Sequence, residues 1–517
     1  MATSRLEALP PEILLQVLAH LPLRPDSVRP NSALVALASA SRSLRLALAP
    51  VVNQRLRIAT AAHAHALLDG VPVALTPHVR ALHLAPVTPP WTAHALEPFL
   101  HALESLTELR CDALDSDPFA VVELLATHAA TASHLALLEL DFAAERRDAA
   151  KPPWTVRADY PLTAPLRAVA QGGLAPGSTS RCPSLSHAPS EPSLGLDLSL
   201  SPLPRCSALW TFVRACLALC PELRTLRLHN LAMSLDTRDG PASAVYLDGW
   251  SCSSIYPGGV PRLQVLEFED VSLDDETLRE VLAATSATLD TLVLKRCAGY
   301  TRTGLVEAVK RSGQRIRHLG LVAAEPGPPK PQTSASPMRS PTLARAFAPP
   351  PPAPPTPPCL SHIIDALLPW LPQLTTLSLA STGTTLLSRT ALPLLATHTP
   401  HLRALHLCTA NLSAADALGL VQRSSGARLA ALRVLALHAP LGNGTCALGA
   451  HDEQDGEGDD TAAAETLWAA ALEGEVRLEG AAFDCARERL AWAQRAAERV
   501  AAEGVGTGRR RKRPSLL

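Results

Sequence analysis

The chain has 517 residues, with 47 Lys and Arg against 48 Asp and Glu and a formal net charge of −1, which argues against a globally steered nucleic-acid binder. Hydrophobic residues make up 47% but aromatics only 3%, so the core must be filled with Leu, Ala and Val, and the length calls for several domains or one elongated array. No stretch approaches the roughly 18 apolar residues that span a bilayer, and the 11 cysteines show no CxxC pair or compact zinc spacing, which points to reduced thiols in the cytosol or nucleus.

The first predicted elements are three short helices within residues 4–58. Leu9 leads into Pro10 and Pro11, and proline suits a helix start, where its missing N–H costs nothing. From Glu12 on, Ile13, Leu14, Val17, Leu18 and Leu21 share one broad face before Pro22 ends the helix. Glu7, Glu12, Gln16 and His20 interrupt the apolar residues, which excludes a secretory signal. Ser32 caps a second helix holding Leu34, Val35 and Leu37. A third runs from about Ser43 with Leu44, Leu48, Val51 and Val52. Three short helices have little room for a private core, so their apolar face calls for a partner.

From Val79 onward the pattern L-x-x-L-x-L recurs ten times, beginning at Val79, Leu106, Leu135, Leu223, Leu263, Leu289, Ile316, Leu374, Leu402 and Leu432. Where no insertion intervenes, successive starts lie 26 to 30 residues apart. Positions 4 and 6 of each motif point inward from a short strand, and position 1 packs below them. One such unit cannot bury its own apolar face, but a stack of them forms a continuous core and a parallel strand ladder. Helical stretches lie between the motifs. Asp274–Thr285 places Leu278, Val281 and Leu282 at helical spacing, and Thr301–Gly313 does the same with Leu305, Val306 and Val309, with Gly313 as the stop. The expected fold is therefore α/β, with repeats over 59–143, 207–324 and 360–439.

Three insertions interrupt the array. Residues 144–206 are Pro/Ser-rich, 325–359 hold a polyproline run, and 440–465 are acidic and glycine-rich. Their composition predicts disordered loops. Residues 466–504 read as a C-terminal cap, with Asp484–Gly504 as its terminal helix, and 505–517 as a tail carrying five consecutive basic residues, Arg509–Arg513. That run suits either a nuclear-localisation signal or a solvated terminus.

Motif positions 3 and 5 point out of the ladder, toward the concave face of a curved stack. Position 5 reads His83, Arg110, Glu139, Arg227, Glu267, Val293, Gly320, Ser378, His406 and Ala436. The charged members and His406 are the candidate binding residues. Position 2 adds Arg80, Arg224, Arg317, Arg403 and Arg433 nearer the strand edge. This mixed surface with an arginine bias suits a protein segment bearing acidic or phosphorylated groups. No phosphate-cradling loop, HExxH or G-x-S-x-G is present, so neither catalysis nor a cofactor or metal is expected.

The repeat resembles the leucine-rich repeat, and residues 4–50 resemble the F-box family. The matching positions are Leu9, Pro10, Glu12, Ile13, Leu14, Val17, Leu18, Leu21, Pro22, Leu34, Leu37, Ala38, Ser41, Arg42 and Leu44. The usual Trp of the family is absent. The resemblance implies a three-helix F-box-like domain followed by a curved leucine-rich-repeat solenoid, in the order seen in substrate-recognition subunits of SCF ubiquitin ligases. It implies that Leu9, Pro10, Ile13, Leu14, Val17, Leu18 and Leu21 dock a Skp-type adaptor of a cullin-based ligase, while the repeats take an as yet unnamed protein substrate. Two other classes stay open: a repeat scaffold in which residues 4–58 are only a lid, and a leucine-rich-repeat GTPase regulator, for which only Asn230 and Asn411 sit near the rim.

Overall fold

A leucine or another apolar residue at every second position, with a further one three residues upstream, gives a strand whose one face is sealed, and all ten motifs do this. Each of the thirty residues at motif positions 1, 4 and 6 is at most 5% exposed. Burial of a Leu side chain contributes about 1.5–3 kcal/mol, so the repeated motif is the main source of cohesion. The computed structural model describes residues 54–60, 76–142, 208–231, 261–323, 362–381, 391–408, 414–422, 429–437, 466–472 and 475–479. It also describes Leu44, Leu48, Ala64, Trp154–Val156, Met233–Leu235 and residues 386–388.

The chain divides into two units, Met1–Leu266 with Asp270–Thr288, and Glu267–Glu269 with Leu289–Leu517. In the first, strands β1 (Arg55–Ile58), β2 (Ala81–Leu84), β3 (Glu108–Cys111), β4 (Leu137–Asp141) and β5 (Thr225–His229) hydrogen-bond in parallel in chain order. The position-4 residues stay in register, with Leu56, Leu82, Leu109, Leu138 and Leu226 side by side. Helices α1 (Ala93–Ala102), α2 (Pro118–Thr127) and α3 (Ala208–Leu219) follow β2, β3 and β4. The cut between the units falls within β6 (Val265–Glu269), after which comes α4 (Asp275–Thr285).

The second unit repeats the plan with β7 (Thr291–Lys295), α5 (Arg302–Ser312), β8 (His318–Val322), α6 (Ile363–Leu367), β9 (Thr376–Ala380), α7 (Leu392–His398), β10 (Ala404–Cys408), α8 (Ala414–Val421), β11 (Val434–Leu437) and β12 (Arg477–Glu479). Its position-4 row is Leu292, Leu319, Leu377, Leu405, Leu435 and Leu478.

Helix starts follow local capping chemistry. The side chains of Thr92, Asp117, Asp274 and Thr301 accept from Ala95 N, Phe119 N, Thr277 N and Gly304 N, each satisfying an N–H that the helix leaves orphaned. The two helices expected from spacing form as Asp275–Thr285 and Arg302–Ser312, with Leu278, Val281, Leu282, Leu305 and Val309 buried. Val306 is only half-buried, and Ala308 takes the inward place instead. Gly313 is the C-cap of the second helix, and a side chain is excluded there because a Cβ would lie 2.7 Å from Val309 Cγ1 and 2.9 Å from Trp370 O.

Three elements differ from the expected pattern. Residues 55–58, placed at the end of the helical segment, form a strand paired with β2. Arg477–Glu479 adds a strand beyond the tenth motif. Trp154–Val156, within the Pro/Ser-rich insertion, pairs with Met233–Leu235, as its aromatic and β-branched composition favours. On the third predicted N-terminal helix, Leu44 and Leu48 are helical and buried. Residues 1–43, the polyproline and acidic insertions, the predicted helix Asp484–Gly504 and the basic tail lie outside the described residues.

Candidate functional site

Strand alternation fixes which side chains share the outward face. In the first unit the parallel register places Arg57, His83, Arg110, Glu139 and Arg227 in one row across five adjacent strands. Neighbouring strands lie about 4.8 Å apart, so successive members of the row are within reach of one another. Arg227 Nη1 donates to Glu139 Oε2 at 3.1 Å, and Arg110 Nε approaches the same oxygen at 3.7 Å. Glu139 thus sits between two guanidinium groups. Its side chain is 19% exposed and theirs are 33% exposed, so the cluster is screened by solvent only in part. Arg110 also lies 4.0 Å from Glu108.

A second pair borders the row. His83 Nε2 is hydrogen-bonded to Asp112 Oδ2 at 2.9 Å, and the buried Nδ1 has no partner among the described residues. One position further along, Asn230 Nδ2 donates to Asp141 Oδ1 at 2.6 Å. Asn230 has φ 58°, a left-handed conformation that asparagine tolerates better than most residues. Asp112, Asp141 and Asn230 are the members of this face that the motif positions did not reveal. Each lies just past the last motif leucine, and a rule extended to positions 7 and 8 would have found them. Behind the face, burial pushes the Cys111 thiol well up, and the nearby Asp112 and Asp141 carboxylates add to this.

The second unit presents a different row. Glu267 is 9% exposed and accepts from Lys295 Nζ at 2.5 Å. Lys295 also lies 3.8 Å from Glu269, which is paired with Arg296. Beyond them Val293, Gly320, Ser378, His406 and Ala436 are in register. Val293 Cγ1 would come within 3.2 Å of a Cβ at Gly320, so the valine leans over the glycine. Of the six candidate face residues, the structure brings His83, Arg110, Glu139 and Arg227 together in the first unit. Glu267 and His406 are in the second unit, with Glu267 held by Lys295.

The adaptor-face candidates Leu9, Pro10, Ile13, Leu14, Val17, Leu18 and Leu21, and Asn411, lie outside the described residues. Among the described residues, no three or more His, Cys, Asp and Glu side chains are grouped to hold a metal ion, and no helix is long and apolar enough to cross a membrane. Cys111, Cys216, Cys220 and Cys297 are free thiols in the core, and burial pushes Cys220 up to about 12. No protein-family pattern matches the chain, and no curated protein matches it either.

Proposed function

We propose that the chain is a non-catalytic substrate-recognition subunit of an SCF-type ubiquitin ligase. Its finer architecture would be a three-helix F-box-like domain over residues 4–58 followed by a curved leucine-rich-repeat solenoid. The observation that carries the capture role is the in-register row Arg57, His83, Arg110, Glu139 and Arg227, a partly exposed charged surface on a rigid ladder. Fixed side chains on a parallel sheet lose little entropy when a partner docks. The docking role is supported by the sequence Leu9-Pro-Pro-Glu-Ile-Leu-Leu and its apolar helix face ahead of the repeats. The protein would act by raising the effective concentration of a bound protein substrate near the transferred ubiquitin.

The test is co-purification with a Skp-type adaptor, comparing the unaltered chain with Leu9→Asp plus Ile13→Asp. Recovery of adaptor only by the unaltered chain is the expected result. Equal recovery by both proteins removes the ligase reading and leaves a repeat scaffold.

A further inference from the structure

A second surface lies on the edge where the chain enters its strands. Motif position 2 has the same pleat parity as the buried positions 4 and 6, so its side chain does not belong to the outward row. In the second unit this position remains part of the hydrogen-bonded ladder. Arg317 N donates to Asp290 O at 2.8 Å, Thr375 N to Arg317 O, Arg403 N to Thr375 O and Arg433 N to Arg403 O, each of the last three at 2.7 Å. Yet Arg317, Arg403 and Arg433 are exposed. The backbone is hydrogen-bonded here as it is in the strands, and the exposed guanidinium groups belong to its rim.

At one end of this rim the turns entering three neighbouring strands enclose a groove of about 300 Å³, lined by Asp290, Gln314, Arg315, Arg317 and Gln373. Four of these five side chains are hydrogen-bond donors, and two are permanently cationic. Among the described residues, none of the five side chains is hydrogen-bonded or ion-paired to another. Arg403 lies two strands further along, beside Thr375, whose hydroxyl is spent on Arg317 O. Arg433, next again, is held by Glu475 at 2.8 Å. The rim therefore presents two separate cationic points, Arg403 and the Arg315–Arg317 groove, whose two guanidinium groups outweigh the single Asp290 carboxylate.

We infer that this rim binds an extended acidic segment of a protein partner, with one anionic group in the groove and a second on Arg403. Two strand spacings place the Arg317 and Arg403 backbones roughly 10 Å apart, and an extended chain advances about 3.3 Å per residue. The two acidic groups are therefore three residues apart. Arginine forks favour carboxylate or phosphate oxygens, and a shared oxyanion satisfies Gln314 and Gln373 as well. Nucleic acid fits less well, because no aromatic side chain lines the groove to stack a base. This inference does not depend on a ligase role.

The test uses the full chain and fluorescence anisotropy with labelled twelve-residue Gly/Ser peptides at low salt. One carries phosphoserines at i and i+3, one glutamates at the same positions, one phosphoserines at i and i+1, and one no acidic group. An eight-residue uridine RNA is the fifth probe. The expected result is tight binding of the i, i+3 peptides, at least tenfold loss in Arg315→Gln plus Arg317→Gln and in Arg403→Gln, and no change in Arg279→Gln on α4. Phosphoserine preferred over glutamate identifies a phosphorylated partner, and equal affinities identify a carboxylate one. All proteins retain the basic run Arg509–Arg513, so the difference between them isolates the rim. These exposed substitutions leave the ladder's backbone bonds in place, and matched thermal melts verify this. Equal affinity of variants and unaltered chain, indifference to peptide spacing, or preference for RNA overturns the inference.

Discussion

Replacing Glu139 by Gln removes a carboxylate shared by Arg110 and Arg227 while keeping the shape of the side chain. Exposed ion pairs are worth about 0.2–1 kcal/mol, whereas hydrogen bonds to charged groups reach about 1.5–3 kcal/mol. The Arg227–Glu139 pair lies between these cases, with a 3.1 Å contact and side chains 33% and 19% exposed. Its coupling should be about 1 kcal/mol. The longer Arg110 contact at 3.7 Å adds less, so the single substitution costs about 1.5 kcal/mol in all, close to a tenfold change in an opening equilibrium. Because the chain has two units, global unfolding is an unsafe measure, and native-state hydrogen exchange of the Leu137–Asp141 and Thr225–His229 amides is the appropriate assay. A double-mutant cycle of Glu139→Gln with Arg227→Gln isolates the coupling. Unchanged protection in Glu139→Gln, or a coupling below about 0.3 kcal/mol, would refute the claim that this row is electrostatically knit.

Leu292→Ala should cost about 2–5 kcal/mol, while Val293→Ala, one residue along on the outward face, should cost under about 1 kcal/mol; exchange protection across Thr291–Lys295 measures both, and similar costs would mean the pleat parity is misassigned. Gly313→Ala forces a methyl against Trp370 O at 2.9 Å and should destabilise by about 1–3 kcal/mol, read as lowered native-state hydrogen-exchange protection of the Arg302–Ser312 amides. Burial raises the carboxyl of Asp117 above its ordinary value of 3.8, with its hydrogen bond from Phe119 N opposing and nearby Glu123 adding. A raised folded-state value stabilises at low pH and is lost as pH climbs from that ordinary value through the folded one. Asp117→Asn keeps an acceptor for Phe119 N, so the hydrogen-exchange protection of its Phe119–Thr127 amides, compared at matched pH, should gain on the unaltered chain's as pH rises across this window; a gain on acidification instead would contradict the burial argument.

Ten strands were legible because each motif places three apolar residues where the pleat and the turn below need them. The first and last strands were not. Counting back from Leu56, β1 has Asn53 at position 1, and β12 has only Leu478 of the three leucines, with Glu475 at position 1 and Gly480 at position 6. Their neighbours' cores, rather than their own sequences, recruit them into the ladder. The outward row was legible as positions but not as pairings, since Glu139 meets Arg227 across 88 residues of chain. Asp112 and Asp141 follow the motif and carry none of its periodicity, and Asn230 stood out only as a rim residue, without its pairing to Asp141. The groove at Gln314, Arg315, Arg317 and Gln373 was hidden for another reason. It joins the position-2 residue Arg317 to Gln314, Arg315 and Gln373, turn residues that obey no repeat, and only the spacing of the strands brings them side by side.

The near-uniformity of the buried triplets has an evolutionary corollary. Because every neighbour offers much the same leucine surface, a repeat can be duplicated, deleted or exchanged by recombination without redesigning the seam it joins. Mutation can meanwhile rewrite the residues between the leucines at little risk to folding. Such a chain can acquire new binding preferences faster than its architecture drifts, and lineages carrying it should differ in repeat number and in surface residues long before they differ in core.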